Sequence, residues 1–239
     1  MKKKILLLHG WNWKNYTSMT NSKDAWENRK DFVNALGKEY DVYKINFPGF
    51  CGEKEPNKPF NLEDYAYYVK NYLQNNSLKV DYILGYSFGG AVALKYHLLY
   101  DKNQKIILVS PAITRNKTKS KNMIKTPGFM QKLRIVLRDW YLKHIIKNPY
   151  MMHGTKFLNA SYQNIVREEL IDDLEKINPN VLKIIYGLDD DQVNPNLVIN
   201  NVSNDIKKRI AIIEGGGHDI ANTHKEKIIE IIDNFEKDV

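Results

Sequence analysis

The sequence predicts an α/β protein built on a parallel sheet with helices on both faces, and three observations carry that expectation. Six short leucine-rich or β-branched runs recur along the 239 residues, segments with helical spacing separate them, and Gly-x-Ser-x-Gly joins the third run to the helical segment behind it. Strands covered on both faces read as near-continuous apolar runs, and parallel strands need a crossover between them, so the alternation implies a doubly wound sheet. At 239 residues and 43% apolar content, the chain suits one domain with one sizeable core.

The strand runs are 4–8, 42–47, 80–84, 105–109, 181–186 and 209–213, and the helical patterns are 24–38, 62–74, 89–99, 128–147, 162–176, 196–205 and 225–236. Ile5-Leu6-Leu7-Leu8 after three lysines mimics a signal peptide, but the apolar run stops at His9-Gly10-Trp11, too short for an h-region, so it reads as a first strand. The second run ends in Phe47-Pro48-Gly49, a turn sequence. The third passes through Leu84-Gly85-Tyr86-Ser87-Phe88-Gly89 into Ala91-Val92-Ala93-Leu94, which reads as strand, sharp turn and helix. After the fourth run and Ser110-Pro111, about 70 residues separate it from the fifth, where one crossover helix would suffice. Helices inserted there lie above the strand carboxyl ends, where open α/β sheets bind ligands. The expected division is therefore a core of residues 1–111 and 179–239 with a helical cap, 112–178, inserted in it.

Composition narrows the function classes. A single cysteine, Cys51, excludes an intrachain disulfide and argues against a cysteine-based zinc site, which suits the cytoplasm. No run approaches the roughly 18 apolar residues of a membrane span. The net charge of +8 is concentrated: residues 112–147 hold ten Lys or Arg against Asp139 alone, so the remainder is close to neutral. No recognition motif accompanies that charge, and nucleic acid is not an expected partner.

Small residues two positions either side of Ser87 fit a strained turn that exposes its hydroxyl. A serine nucleophile needs a base, and the base needs a carboxylate that fixes its tautomer. The fifth run leads into Gly187-Leu188-Asp189-Asp190-Asp191, any of whose acids could serve, and the sixth into Gly215-Gly216-Gly217-His218-Asp219. Aspartates after strands also form turns and caps, but serine, acid and histidine at later strand ends in this order form a coherent constellation. Asp219, adjacent to the histidine, is expected to cap the helix or support the loop. Backbone N–H groups of Phe88, after the nucleophile, and of Trp11, in the first loop, are the expected oxyanion donors. His9 reads as structural, and Trp11, Trp13 and Tyr16 as candidate pocket walls.

On these residues the chain resembles the α/β-hydrolase-fold serine hydrolases, the capped group of esterases, lipases and carbon–carbon bond hydrolases. His9-Gly10-Trp11 resembles their oxyanion loop, residues 85–89 their nucleophile elbow, and Gly187-x-x-Asp190-x-x-Val193 their acid loop. The resemblance selects Asp190 among the three acids and implies Ser87, Asp190 and His218 as catalytic triad. It also implies a sheet of about six mostly parallel strands, since the amino-terminal hairpin of many members is missing here, and a reaction on a small-molecule ester without metal or organic cofactor. A serine at the elbow argues against dehalogenase or epoxide-hydrolase chemistry. Carboxylic ester cleavage through an acyl-enzyme is the first reading, a thioesterase or carbon–carbon bond hydrolase the alternative, and a non-catalytic ligand-binding protein on this fold the alternative of another class.

In the cap, Phe129, Leu133, Val136, Leu137, Trp140 and Tyr141 form an apolar stripe, with Lys132, Arg134 and Arg138 mostly off it. That pattern suits first a helix packed on the core with solvated lysines; the functional readings are an apolar wall for an acyl chain, attraction of an anionic substrate or a transient contact with an anionic membrane surface. Tyr86 and Trp140 are candidate substrate contacts.

Overall fold

The computed structural model describes residues 1–114 and 147–235. Six strands, β1 (Lys3–Leu8), β2 (Tyr40–Ile45), β3 (Tyr82–Tyr86), β4 (Lys105–Val109), β5 (Leu182–Gly187) and β6 (Ile210–Ile213), form one sheet in the order β2-β1-β3-β4-β5-β6. Every neighbouring pair is parallel. The expected strand runs match these elements within a residue or two; the inner strands β1, β3, β4 and β5 are almost wholly buried and leave a near-continuous apolar trace, whereas the edge strands β2 and β6 are partly exposed.

Alternation along each strand feeds two cores. Leu6 and Leu8 of β1 face one side, against α2 (Leu62–Asn75) and α3 (Phe88–Tyr100), while Ile5 and Leu7 face the other. On that second face lie Phe32 and Leu36 of α1 (Lys30–Glu39) and Ile228 and Ile232 of the final helix, α10 (Lys225–Asn234). Asn61 and Asp64 start α2 with a reciprocal capping box, each side chain accepting the other's backbone N–H at 2.9 Å.

Three helical expectations are corrected. Residues 24–38 are not one helix: Asp24 Oδ1 accepts the Trp26 N–H and Asn46 Oδ1 accepts the Ala25 N–H, so a turn and a 3₁₀ segment precede α1. Residues 162–176 split into α5 (Lys156–Ile165), which starts six residues earlier on the Thr155 cap, and α6 (Ile171–Leu174). The break falls where the Leu170 N–H leaves the helix pattern to donate to Ile113 O at 3.1 Å. Residues 196–205 likewise split into α7 (Pro195–Ile199) and α8 (Asn204–Lys207), with the Ser203 N–H donating to Glu175.

Between β4 and β5 the described residues are helical: α4 (Pro149–His153), α5 and α6. They share a core with the sheet, since Phe157, Leu158, Ile165, Leu170 and Leu174 pack in the cluster that holds Leu8 and Phe88. Polar ties reinforce the contact, Ser161 accepting the Phe60 N–H at 2.8 Å and Lys95 of α3 pairing with Asp173 at 2.6 Å. The expected helix 128–147 and the basic and apolar stripes on it lie outside the described residues, except Lys147, which is exposed. Among the described residues no helix is long and apolar enough to cross a membrane. A short helix, α9 (Ile220–Thr223), precedes α10.

Candidate active site

The carboxyl ends of β3, β5 and β6 deliver one side chain each to a common point. At the end of β3, Ser87 adopts φ 52° and ψ −113°, a conformation that costs a residue with a side chain on the order of 1–3 kcal/mol. The turn closes so tightly that a Cβ on Gly85 would lie 2.3 Å from Gly89 O, and one on Gly89 2.1 Å from Leu8 O. This crowding explains the small residues on either side of the serine. Its backbone is pinned to β4: the Ser87 N–H donates to Val109 O at 2.9 Å, and Ser87 O accepts the Ala112 N–H at 3.1 Å.

Past β5, only Asp190 of the three aspartates is buried; Asp189 and Asp191 are exposed. Asp190 Oδ1 accepts the Gln192 and Val193 N–H groups, both at 2.9 Å, and Oδ2 faces His218 Nδ1 at 2.8 Å. Burial acts to raise its pKa, but the His218 contact and the two backbone donors outweigh it and hold the carboxyl below the usual carboxylate range. His218, past β6, places Nε2 3.1 Å from Ser87 Oγ. A carboxylate opposite Nδ1 assigns the imidazole proton to that nitrogen, leaving the Nε2 lone pair toward the serine hydroxyl.

The histidine loop is anchored from beneath. Tyr86 donates its hydroxyl to His218 O at 2.9 Å and accepts from Arg29 Nη2 at 3.1 Å, while Arg29 stacks on the Tyr86 ring with Cζ 4.2 Å from its centroid. Arg29 Nη2 also pairs with Asp219 Oδ1 at 2.7 Å. Asp219 therefore supports the loop, and its side chain caps no helix. Tyr86 lines a cavity at Ser87, yet its hydroxyl is committed to the histidine loop. Burial raises its pKa.

His9 is buried among Phe47 and Phe50, accepts the Phe47 N–H on Nε2 at 3.0 Å, and so donates from Nδ1 to Gly10 O at 2.9 Å. Burial lowers its pKa to about 4, and the ring is a neutral brace between two loops. Of the three aromatics after it, Trp11 lines the cavities, its indole donating to Tyr16 at 2.7 Å; Tyr16 is fully buried, and Trp13 stacks on His153. Among the described residues neither the Trp11 nor the Phe88 backbone N–H has an acceptor.

Two cavities flank Ser87. One, of about 240 Å³, runs between Gly10, Trp26, Arg29 and Tyr86; the other, of about 160 Å³, lies under α5 against Phe88, Tyr162, Ile165 and Val193. Trp11, Ser87, Tyr150, Gln192 and His218 border both. Trp26, Arg29, Tyr150 and Gln192 are site residues that the sequence pattern does not reveal, because their neighbours come from distant segments. Trp140 lies outside the described residues.

Residues 3–160 match the model of the alpha/beta hydrolase fold family, and the chain belongs to that family. Solved structures of similar fold include a bromoperoxidase from Bacillus anthracis, 18% identical with a TM-score of 0.66 over 99% of this chain and 92% of that one. An esterase from Exiguobacterium antarcticum is 21% identical, with a TM-score of 0.63 over 98% and 92% of the two chains. A meta-cleavage product hydrolase from Pseudomonas fluorescens is 16% identical, with a TM-score of 0.63 over 98% and 90%. At such identities the likeness is one of fold. No curated protein matches the sequence.

Proposed function

We propose that the protein is a serine hydrolase that cleaves a carboxylic ester through an acyl-enzyme. The observation that carries this reading is the unbroken line from Asp190 Oδ2 to His218 Nδ1 at 2.8 Å and from His218 Nε2 to Ser87 Oγ at 3.1 Å. Ser87 Oγ attacks the ester carbonyl as its proton passes to His218 Nε2, and the buried Asp190 carboxylate stabilises the imidazolium. The carbonyl oxygen becomes an oxyanion, which the Trp11 and Phe88 N–H groups stabilise. Collapse expels the alcohol with the proton from His218, leaving Ser87 acylated. Water, deprotonated by the same imidazole, then attacks the acyl carbon and returns serine and a carboxylic acid. The helices between β4 and β5 act as a cap that shapes the acyl pocket, Tyr162 and Ile165 of α5 forming its wall.

A fluorophosphonate probe is expected to label the wild-type protein and not Ser87→Ala. Absence of labelling in the folded wild type favours a non-catalytic ligand-binding protein. Nitrophenyl esters of graded chain length, run beside a matched thioester and a carbon–carbon bond substrate, test the ester assignment: faster thioester or carbon–carbon cleavage overturns it.

A further inference from the structure

Tyr86 has one hydroxyl proton and two acceptors in reach, His218 O at 2.9 Å and Asp219 Oδ1 at 3.4 Å. The carboxylate is the stronger acceptor, since a hydrogen bond to an ionised group is worth more than one between neutral groups. Left to that competition the proton would turn to Asp219, and the Tyr86 oxygen would present its lone pairs to His218 O, one acceptor facing another. Arg29 changes the outcome. Its Nη2 lies 2.7 Å from Asp219 Oδ1 and 3.1 Å from the Tyr86 oxygen, so its two N–H bonds occupy both. Asn222 Nδ2 holds the other Asp219 oxygen at 2.8 Å, and the stack of Arg29 on the Tyr86 ring fixes the guanidinium in place. A guanidinium donates and cannot accept, so the place left for the Tyr86 proton is His218 O.

We infer that Arg29 is a positioning residue for the proposed reaction: by directing the Tyr86 proton to His218 O, it fixes the loop that aligns His218 between Asp190 and Ser87. The role rests on that reaction, but the alignment can be observed without turnover. Arg29→Met keeps an unbranched side chain and removes the donors. It is expected to lower kcat for a nitrophenyl ester by about tenfold with KM little changed, the worth of about one hydrogen bond. Were Arg29 only half of a structural ion pair, each further deletion in this network would add to the loss. A misdirected proton makes the second deletion a rescue instead. Adding Tyr86→Phe, which removes the proton, or Asp219→Ala, which removes the competing acceptor, should bring Arg29→Met back to within a few-fold of wild type. Asp219→Ala alone should cost less than Arg29→Met. A loss confined to KM, no loss at all, a loss that neither second substitution relieves, or an Asp219→Ala as impaired as Arg29→Met overturns the inference. In resting protein labelled at the histidine nitrogens, the His218 Nδ1–H resonance should move upfield in Arg29→Met as its bond to Asp190 loosens, and return in both double variants. An unmoved resonance overturns the inference whatever the protein hydrolyses, whereas failure to cleave any ester with these resonance changes intact overturns only the ester reading.

Discussion

His9 follows β1 and His218 follows β6, both at the same end of the sheet and each with both ring nitrogens engaged. The partners of His9 are a carbonyl and a backbone N–H, neither of which exchanges protons near neutrality, and its ring is sealed at 2% exposure. Those of His218 are a carboxylate and a hydroxyl, and its ring borders both cavities. The same side chain is thus a neutral brace after β1 and, in the proposed reaction, a proton carrier after β6, according to what its two nitrogens face. Charging His9 would break the Phe47 contact, whereas charging His218 strengthens the Asp190 contact.

The sharpest way to break this contrast is to remove each ring. His218→Ala is expected to lower kcat/KM for a nitrophenyl ester by at least about 10⁴-fold with little loss of stability. His9→Asn should instead cost about 1–3 kcal/mol in denaturant melts and leave kcat/KM within tenfold. A folded His9→Asn as inactive as His218→Ala would place His9 in the chemistry. Next in size, Asp190→Asn should cost about 10³–10⁴-fold by favouring the wrong His218 tautomer. Asp191→Asn, on an exposed side chain, should stay within a few-fold, and equal losses would reassign the acid.

The pH dependence of stability separates the two rings further. His9 titrates at about 4 in the folded protein against 6.5 when unfolded, so between those values the unfolded chain binds more protons. Its contribution is complete above pH 6.5 and is lost as pH falls toward 4, about 3 kcal/mol in all. Asp190, held below the usual carboxylate range, adds a loss of the same sign at lower pH. Denaturant melts from pH 7 to 4 should show the steeper decline in wild type than in His9→Asn; parallel slopes would remove His9 from the account. The smallest effect is expected from Tyr86→Phe, which deletes the hydroxyl under His218 O: about 1 kcal/mol and a few-fold in kcat.

The central strands are legible in the sequence because burial on both faces disfavours polar residues, and the partly exposed edge strands β2 and β6 because they keep β-branched residues such as Val42, Ile45, Ile210 and Ile213. Ser87, a triplet of aspartates and His218 are legible for a related reason, since each stands a few residues past such a run, while the choice of Asp190 within the triplet comes from the family resemblance. What fails to show is whatever depends on a distant partner. Residues 24–38 carry helical spacing, but Asn46 claims the Ala25 N–H and Asp219, 190 positions away, claims Arg29. That diversion turns Trp26 and Arg29 into a cavity wall. The break after α5 has the same origin, an N–H taken by Ile113 across the fold. Thr155, three residues before Leu158, is a cap signal that an earlier helix start could have used.

The left-handed backbone at Ser87 carries a further meaning for how the protein can evolve. Ser87→Gly would release the strain at φ 52°, worth about 1–3 kcal/mol, against about 0.5–1 kcal/mol of added chain entropy. The most thermostable version of this elbow is then one without the hydroxyl that the proposed reaction uses. In the proposed reaction, selection for heat tolerance alone would thus work against turnover at this one position.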